Sequence, residues 1–252
     1  MDEFRIGSVL HMSARALARN FIAVFLTSAA FFVPILAYKL NWIDGRMAES
    51  SQVLLKPNNL NLPLLFTLVS AFGTCFVAST LTYGVVMDMQ GRRIGAGEWI
   101  SKGFARSFTV VGVAFVSGLS IAGGLLLLII PGVIVACMLY VAIPAVVIER
   151  TGIMGALGRS RELTRGHKSE LFVMLLIIGG LRVANVLFMA FAIRVETVAN
   201  LKVFTCFEVG SEALFAALTS VIAAVTYCAL RAEKDGQVLP DDSIDDHVLQ
   251  GF

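Results

Sequence analysis

The chain has 252 residues, 57% of them hydrophobic and 15% charged, with a mean hydropathy of +0.82. Soluble domains run at about 45–50% apolar and about 25% charged, so this composition excludes an ordinary water-soluble fold, whose surface would be an aggregating apolar patch. Twenty Lys and Arg against 18 Asp and Glu give a formal net charge of +2, without the basic excess that a nucleic-acid partner requires.

A helix needs about 20 mostly apolar residues to cross a hydrocarbon core of about 30 Å. The first basic stretch, ahead of any such run, sets Ile6, Leu10, Leu17 and Phe21 on one face while His11, Arg15 and Arg19 recur every fourth residue. The first apolar run follows at 21–40, with Tyr38 and Trp42 placed for an interfacial aromatic belt. It reads as a retained membrane helix, since no small-residue cleavage site follows it. The second run covers 63–87. A loop with Arg92 and Arg93 leads to a second amphipathic stretch, where Ile100, Phe104 and Phe108 lie four apart with Lys102 and Arg106 off that stripe. Trp99 in this loop again suits an interface.

The third and fourth runs, 108–130 and 132–148, are separated by little more than Pro131-Gly132, a dipeptide that breaks helix and permits reversal. A more polar basic stretch carries Leu157 and Leu163 against Arg159, Arg161, Arg165 and Lys168. The fifth and sixth runs are 171–193 and 211–230. Small residues recur at four-residue spacing in the third run (Ala114, Gly118, Ala122) and the sixth (Ala216, Ser220, Ala224), which suits close helix packing within a bundle or at a dimer face.

Of the 20 Lys and Arg, fourteen fall on the side of the termini, five (Lys39, Arg46, Lys56, Arg194 and Lys202) on the other, and Arg182 within a run. The positive-inside rule therefore places both ends in the cytoplasm. The expected fold is an all-α integral membrane protein of six transmembrane helices in three hairpins, each preceded by a cytoplasmic amphipathic helix. Residues 1–234 form the membrane domain and 235–252 an acidic cytoplasmic tail with Asp241, Asp242, Asp245 and Asp246. The recurrence of Ile6-Gly7 as Ile94-Gly95, of Arg19-Asn20-Phe21 as Arg106-Ser107-Phe108, and of Thr82-Tyr83 as Thr226-Tyr227 divides the domain into parallel units of about 1–91, 92–152 and 153–234. The shared composition of basic loops and apolar helices is the other source of such echoes.

Two stretches carry a family resemblance. The segment from Ile130 to Phe172 contains a Pro131-Gly132 turn, then Pro144 and Glu149, then Ala156, Leu157, Ser160, Leu163, Thr164 and Gly166; Tyr227, Leu230 and Arg231 close the last run. These resemble the integral membrane domain of glycerophosphoryl diester phosphodiesterases and its stand-alone bacterial and archaeal relatives. The resemblance implies a membrane scaffold in a cytoplasmic (inner) membrane. The family's hydrolase chemistry belongs to a separate barrel for which this chain has no room, and no functional residues of the membrane domain carry over.

Chemistry-bearing patterns are scarce. His11, His167 and His247 lie in different pieces, with no ligand spacing for a metal. Cys75, Cys137 and Cys228 fall in apolar runs, and Cys206 in the outer loop without an obvious disulfide partner. The glycine-rich stretch 91–97 lacks the strand-to-helix context of a phosphate loop. No catalytic, metal or cofactor site can be assembled.

Arg182, midway along the fifth run behind Gly179-Gly180 and three residues before Asn185, admits two readings. It contacts an anion or a lipid phosphate in a polar crevice, or it caps carbonyls freed at the double glycine or snorkels outward. Arg15, Arg19, Arg92, Arg93, Lys102, Arg106, Arg159, Arg161, Arg165 and Lys168 are candidate contacts to anionic phospholipid headgroups. The functional expectation is a non-enzymatic scaffold or accessory subunit, or a factor in envelope and lipid homeostasis, with a membrane-protein partner or a second copy of itself. The alternative is a small transporter or channel with a polar site near Arg182 and Asn185.

Overall fold

A computed structural model describes residues 6–48, 61–92, 95–192 and 198–236. All the regular structure among these residues is helical: α1 (Ile6–Arg19), α2 (Phe21–Ala48), α3 (Asn61–Met89), α4 (Ala96–Leu127), α5 (Ile129–Met138), α6 (Ala142–Glu149), α7 (Gly152–Leu163), α8 (Lys168–Ala192) and α9 (Val198–Asp235). Six spans within them are long and apolar enough to cross a membrane, with α5 and α6 together supplying the fourth.

α9 is the central post, packed against α1, α2, α3, α6, α7 and α8; α3 is its main partner and packs in turn on α4. One core joins Val9 of α1, Val86 of α3, Val113 of α4, Val146 of α6, Leu163 of α7 and Tyr227 of α9. A second joins Val24, Phe32 and Ile35 of α2 to Phe76, Val77 and Leu81 of α3 and Val209 and Ala217 of α9. Glycines set the closest approaches. A Cβ at Gly103 would lie 2.6 Å from the Cα of Thr80, so α4 presses backbone to backbone on α3. Ser79 reinforces the crossing by donating its hydroxyl to the Gly103 carbonyl at 2.9 Å.

Several elements depart from the sequence expectation. The basic stretch around Lys102 and Arg106 is no separate helix; it forms the first turns of a continuous α4. Trp99 lies inside the bundle, 3% exposed, instead of at an interface. The reason is a slot at Gly84, where a Cβ would lie 2.2 Å from the Trp99 ring. The reversal after α4 falls at the single extended residue Leu128 (φ −166°, ψ 148°), ahead of Pro131-Gly132. Both of these belong to the first turn of α5, where proline's missing N–H costs nothing. Gly132 is needed there because a Cβ on it would meet the Leu125 side chain at 2.5 Å and its amide nitrogen at 2.7 Å.

The fourth run is also broken. Helix stops at Met138 and resumes at Ala142, because Pro144 cannot donate to the carbonyl of Tyr140. Of the small-residue stripes, Ser220 and Ala224 of α9 are buried, whereas Gly118 and Ala122 of α4 are exposed. Cys206 belongs to α9 and not to a loop. Residues 237–252, which hold most of the acidic tail, lie outside the described residues, as does Arg93.

Candidate functional site

At the end of the bundle where α6 and α9 finish, which we call the basic end, α6 closes on Arg150 in the left-handed region (φ 54°). Gly152 follows at φ +73° and the chain doubles back as α7. This reversal carries Arg159 to Glu149: its Nε donates to Oε1 at 3.0 Å, and the Tyr227 hydroxyl donates to the same oxygen at 2.8 Å. The remaining Arg159 nitrogens donate to Glu162 (3.1 Å) and to Asp235. Burial alone would lower the pKa of Arg159, but its hydrogen bonds to Glu149 and Glu162 and the charges of Glu149 and Asp235 outweigh that and hold it above its ordinary value. Lys234 donates to the carbonyls of Glu162 (3.0 Å) and Arg165 (2.9 Å), capping α7 with a cation where the helix dipole favours one. The Ser160 hydroxyl donates to Met138 O at 2.8 Å and that of Thr164 at 3.4 Å, occupying the carbonyl left at the break in the fourth span. Of the residues quoted above for the family resemblance, Glu149 thus pairs with Tyr227, while Ser160 and Thr164 share the Met138 carbonyl.

The candidate headgroup residues divide into two groups. Arg159 faces protein carboxylates, with its side chain 17% exposed. Arg19 donates twice to Asp88, at 2.9 and 2.6 Å, beside Asn20, whose amide donates to the same oxygen at 2.6 Å. Arg106 donates to the Val147 carbonyl and lies 4.5 Å over the Tyr83 ring. Arg15, Arg92, Lys102, Arg161, Arg165 and Lys168 are exposed.

Arg182 and Asn185 lie on α8, whose most apolar stretch is 11% buried, against 61% for α3. From residue 176 to 188 only Ile178 and Asn185 are partly covered. The Arg182 guanidinium lies 5.2 Å over the Phe215 ring of α9. Among the described residues it has no hydrogen-bond or ion-pair partner.

A polar crevice with a volume of about 620 Å³ lies at the far end of the bundle, between α2, α3 and α9. Lys39, Trp42, Thr67, Ser70, Thr74, Glu208 and Glu212 line it. Sequence reasoning had no means of assembling it, because its polar groups come one or two at a time from the ends of three separate apolar runs.

Among the described residues no group of three or more His, Cys, Asp or Glu could hold a metal ion. Comparison with known proteins found no matching family model, no matching curated protein and no matching solved structure.

Proposed function

We propose that this chain is a non-enzymatic polytopic membrane protein that serves as an accessory or scaffold subunit of a membrane complex, with α8 as the face that meets the partner. The observation that carries this reading is the state of α8. A membrane helix surrounded by lipid would be expected to be uniformly apolar around its middle, yet the exposed middle of α8 contains Gly179, Gly180, Arg182 and Ala184. Gly180 and Ala184, four apart, offer the small-residue surface on which a second helix packs closely. Exposed Phe188, Phe191 and Leu187 extend that surface.

The finer arrangement follows from the same reading. The six spans form three hairpins with the termini in the cytoplasm of a bacterial or archaeal inner membrane, and the exposed Arg15, Arg92, Lys102, Arg161, Arg165 and Lys168 meet anionic phospholipid there. Kinship with the integral membrane domain of glycerophosphoryl diester phosphodiesterases is supported by the pairing of Glu149 with Tyr227 and by the shared use of the Met138 carbonyl by Ser160 and Thr164. A second reading, lipid or anion handling at Arg182, is favoured by that residue's lack of any carboxylate partner among the described residues.

Native mass spectrometry of gently extracted protein separates the two. A second polypeptide at fixed stoichiometry, lost in Gly180→Leu and kept in Arg182→Leu, is the expected result. A bare monomer or dimer whose bound phospholipid is released by Arg182→Leu overturns the accessory reading in favour of the second.

A further inference from the structure

The far-end crevice has a chemistry unlike the rest of the molecule. Among the described residues its charged lining is one ammonium and two carboxylates, with no arginine and no histidine. Lys39, whose side chain is 17% exposed, is paired with Glu208 at 3.4 Å. Glu212, one turn along α9 and partly covered, makes no hydrogen bond or ion pair among the described residues. Among the described residues, once Lys39 and Glu208 offset each other, the crevice therefore holds one uncompensated negative charge. Trp42 contributes an indole wall, and Ser70 and Thr74 line it from α3.

A carboxylate with no partner in a recess of this kind favours a monovalent cation, and an aromatic face adds attraction for a cation that keeps its own hydrocarbon. A volume of about 620 Å³ is far larger than a bare ion needs and falls in the ordinary range for small organic ligands. Lys39 already shows how an ammonium is received there.

We propose that this crevice binds an alkylammonium group, its nitrogen between Glu212 and Glu208 and its carbon skeleton against Trp42. The group has two possible sources of the same chemistry: a free amine in solution, or the ethanolamine headgroup of a membrane lipid. This assignment concerns a site on α2, α3 and α9 and does not rest on the role given to α8.

The test is a titration of the intact protein, stripped of lipid in neutral detergent, with ethanolamine, followed by tryptophan fluorescence. Trp42 and Trp99 are the only two tryptophans, so the same titration of Trp42→Phe identifies the reporter. The expected result is a saturable change that acetate does not produce, with affinity at least about 10-fold weaker in Glu212→Gln, the loss anticipated for one charge-assisted contact. Lys39→Met releases Glu208 from its internal partner and is expected to tighten binding several-fold, a gain that a misfolded protein cannot give. Bilayer discs then distinguish the sources. If discs containing phosphatidylethanolamine abolish the response to added ethanolamine while phosphatidylglycerol discs preserve it, the ligand is the lipid headgroup; a response in both makes it the free amine. No saturable change in the parent protein, an affinity unmoved by Glu212→Gln, or no tightening in Lys39→Met each overturns the assignment.

Discussion

Arg159 and Arg182 carry the same guanidinium into opposite surroundings. Arg159 is enclosed by Glu149, Glu162 and Asp235 at the basic end, where helices α6, α7 and α9 terminate together. Arg182 projects from the least covered helix of the bundle, with one aromatic ring beside it. The difference shows where the fold uses its cations. At the basic end some of them hold helix ends together, as Arg159 does, and the same pattern recurs in Arg19 with Asp88 and Arg106 with the Val147 carbonyl. On α8 the cation contributes little to holding the bundle, so its presence calls for a role outside it.

The largest expected effect tests the first half of that contrast. Arg159→Leu strands Glu149 in a partly buried site, and removal of one partner from such a network costs about 3–5 kcal/mol. Reversible unfolding in mixed detergent micelles measures it, and Arg182→Leu in the same assay should be close to neutral. A comparable loss in both variants would erase the distinction. An intermediate effect belongs to packing: Gly84→Ala drives a methyl into the Trp99 ring and should destabilise by about 1–3 kcal/mol. Trp99→Leu should recover part of that loss in the double variant; simple additivity of the two losses would mean that the slot is not what seats the indole. The smallest effect is reserved for Lys202 and Asp44, which pair at 2.5 Å while 38% and 58% exposed. Lys202→Ala should change stability by no more than about 1 kcal/mol, and the change should shrink further in high salt.

The apolar runs were legible because a membrane span is written in consecutive residues. Their ends were less so. α4 begins twelve residues earlier than its apolar run, because Trp99 and Gly103 find a seat on α3 that only the folded bundle reveals. The break at residues 139–141 was hidden inside an unbroken apolar stretch, where Pro144 was visible but its effect depended on another helix supplying donors. Arg159, Glu149 and Tyr227 each stood out as letters, yet the shared oxygen that links them is a matter of tertiary geometry. Arg182 stands out in the sequence for its depth in an apolar run, whereas Lys39, Thr74 and Glu212 of the far-end crevice are unremarkable one at a time.

The break in the fourth span also bears on how the chain is made. The amide of Ala142 turns to the carbonyl of Leu139, leaving that of Met138 to hydroxyls that lie 22 and 26 residues further along the chain. In hydrocarbon an unmet carbonyl is costly, and no water is at hand to relieve it. When α5 and α6 have just been synthesised, the residues that will meet this carbonyl do not yet exist, and the fourth span is completed only by Ser160 and Thr164, added later in translation.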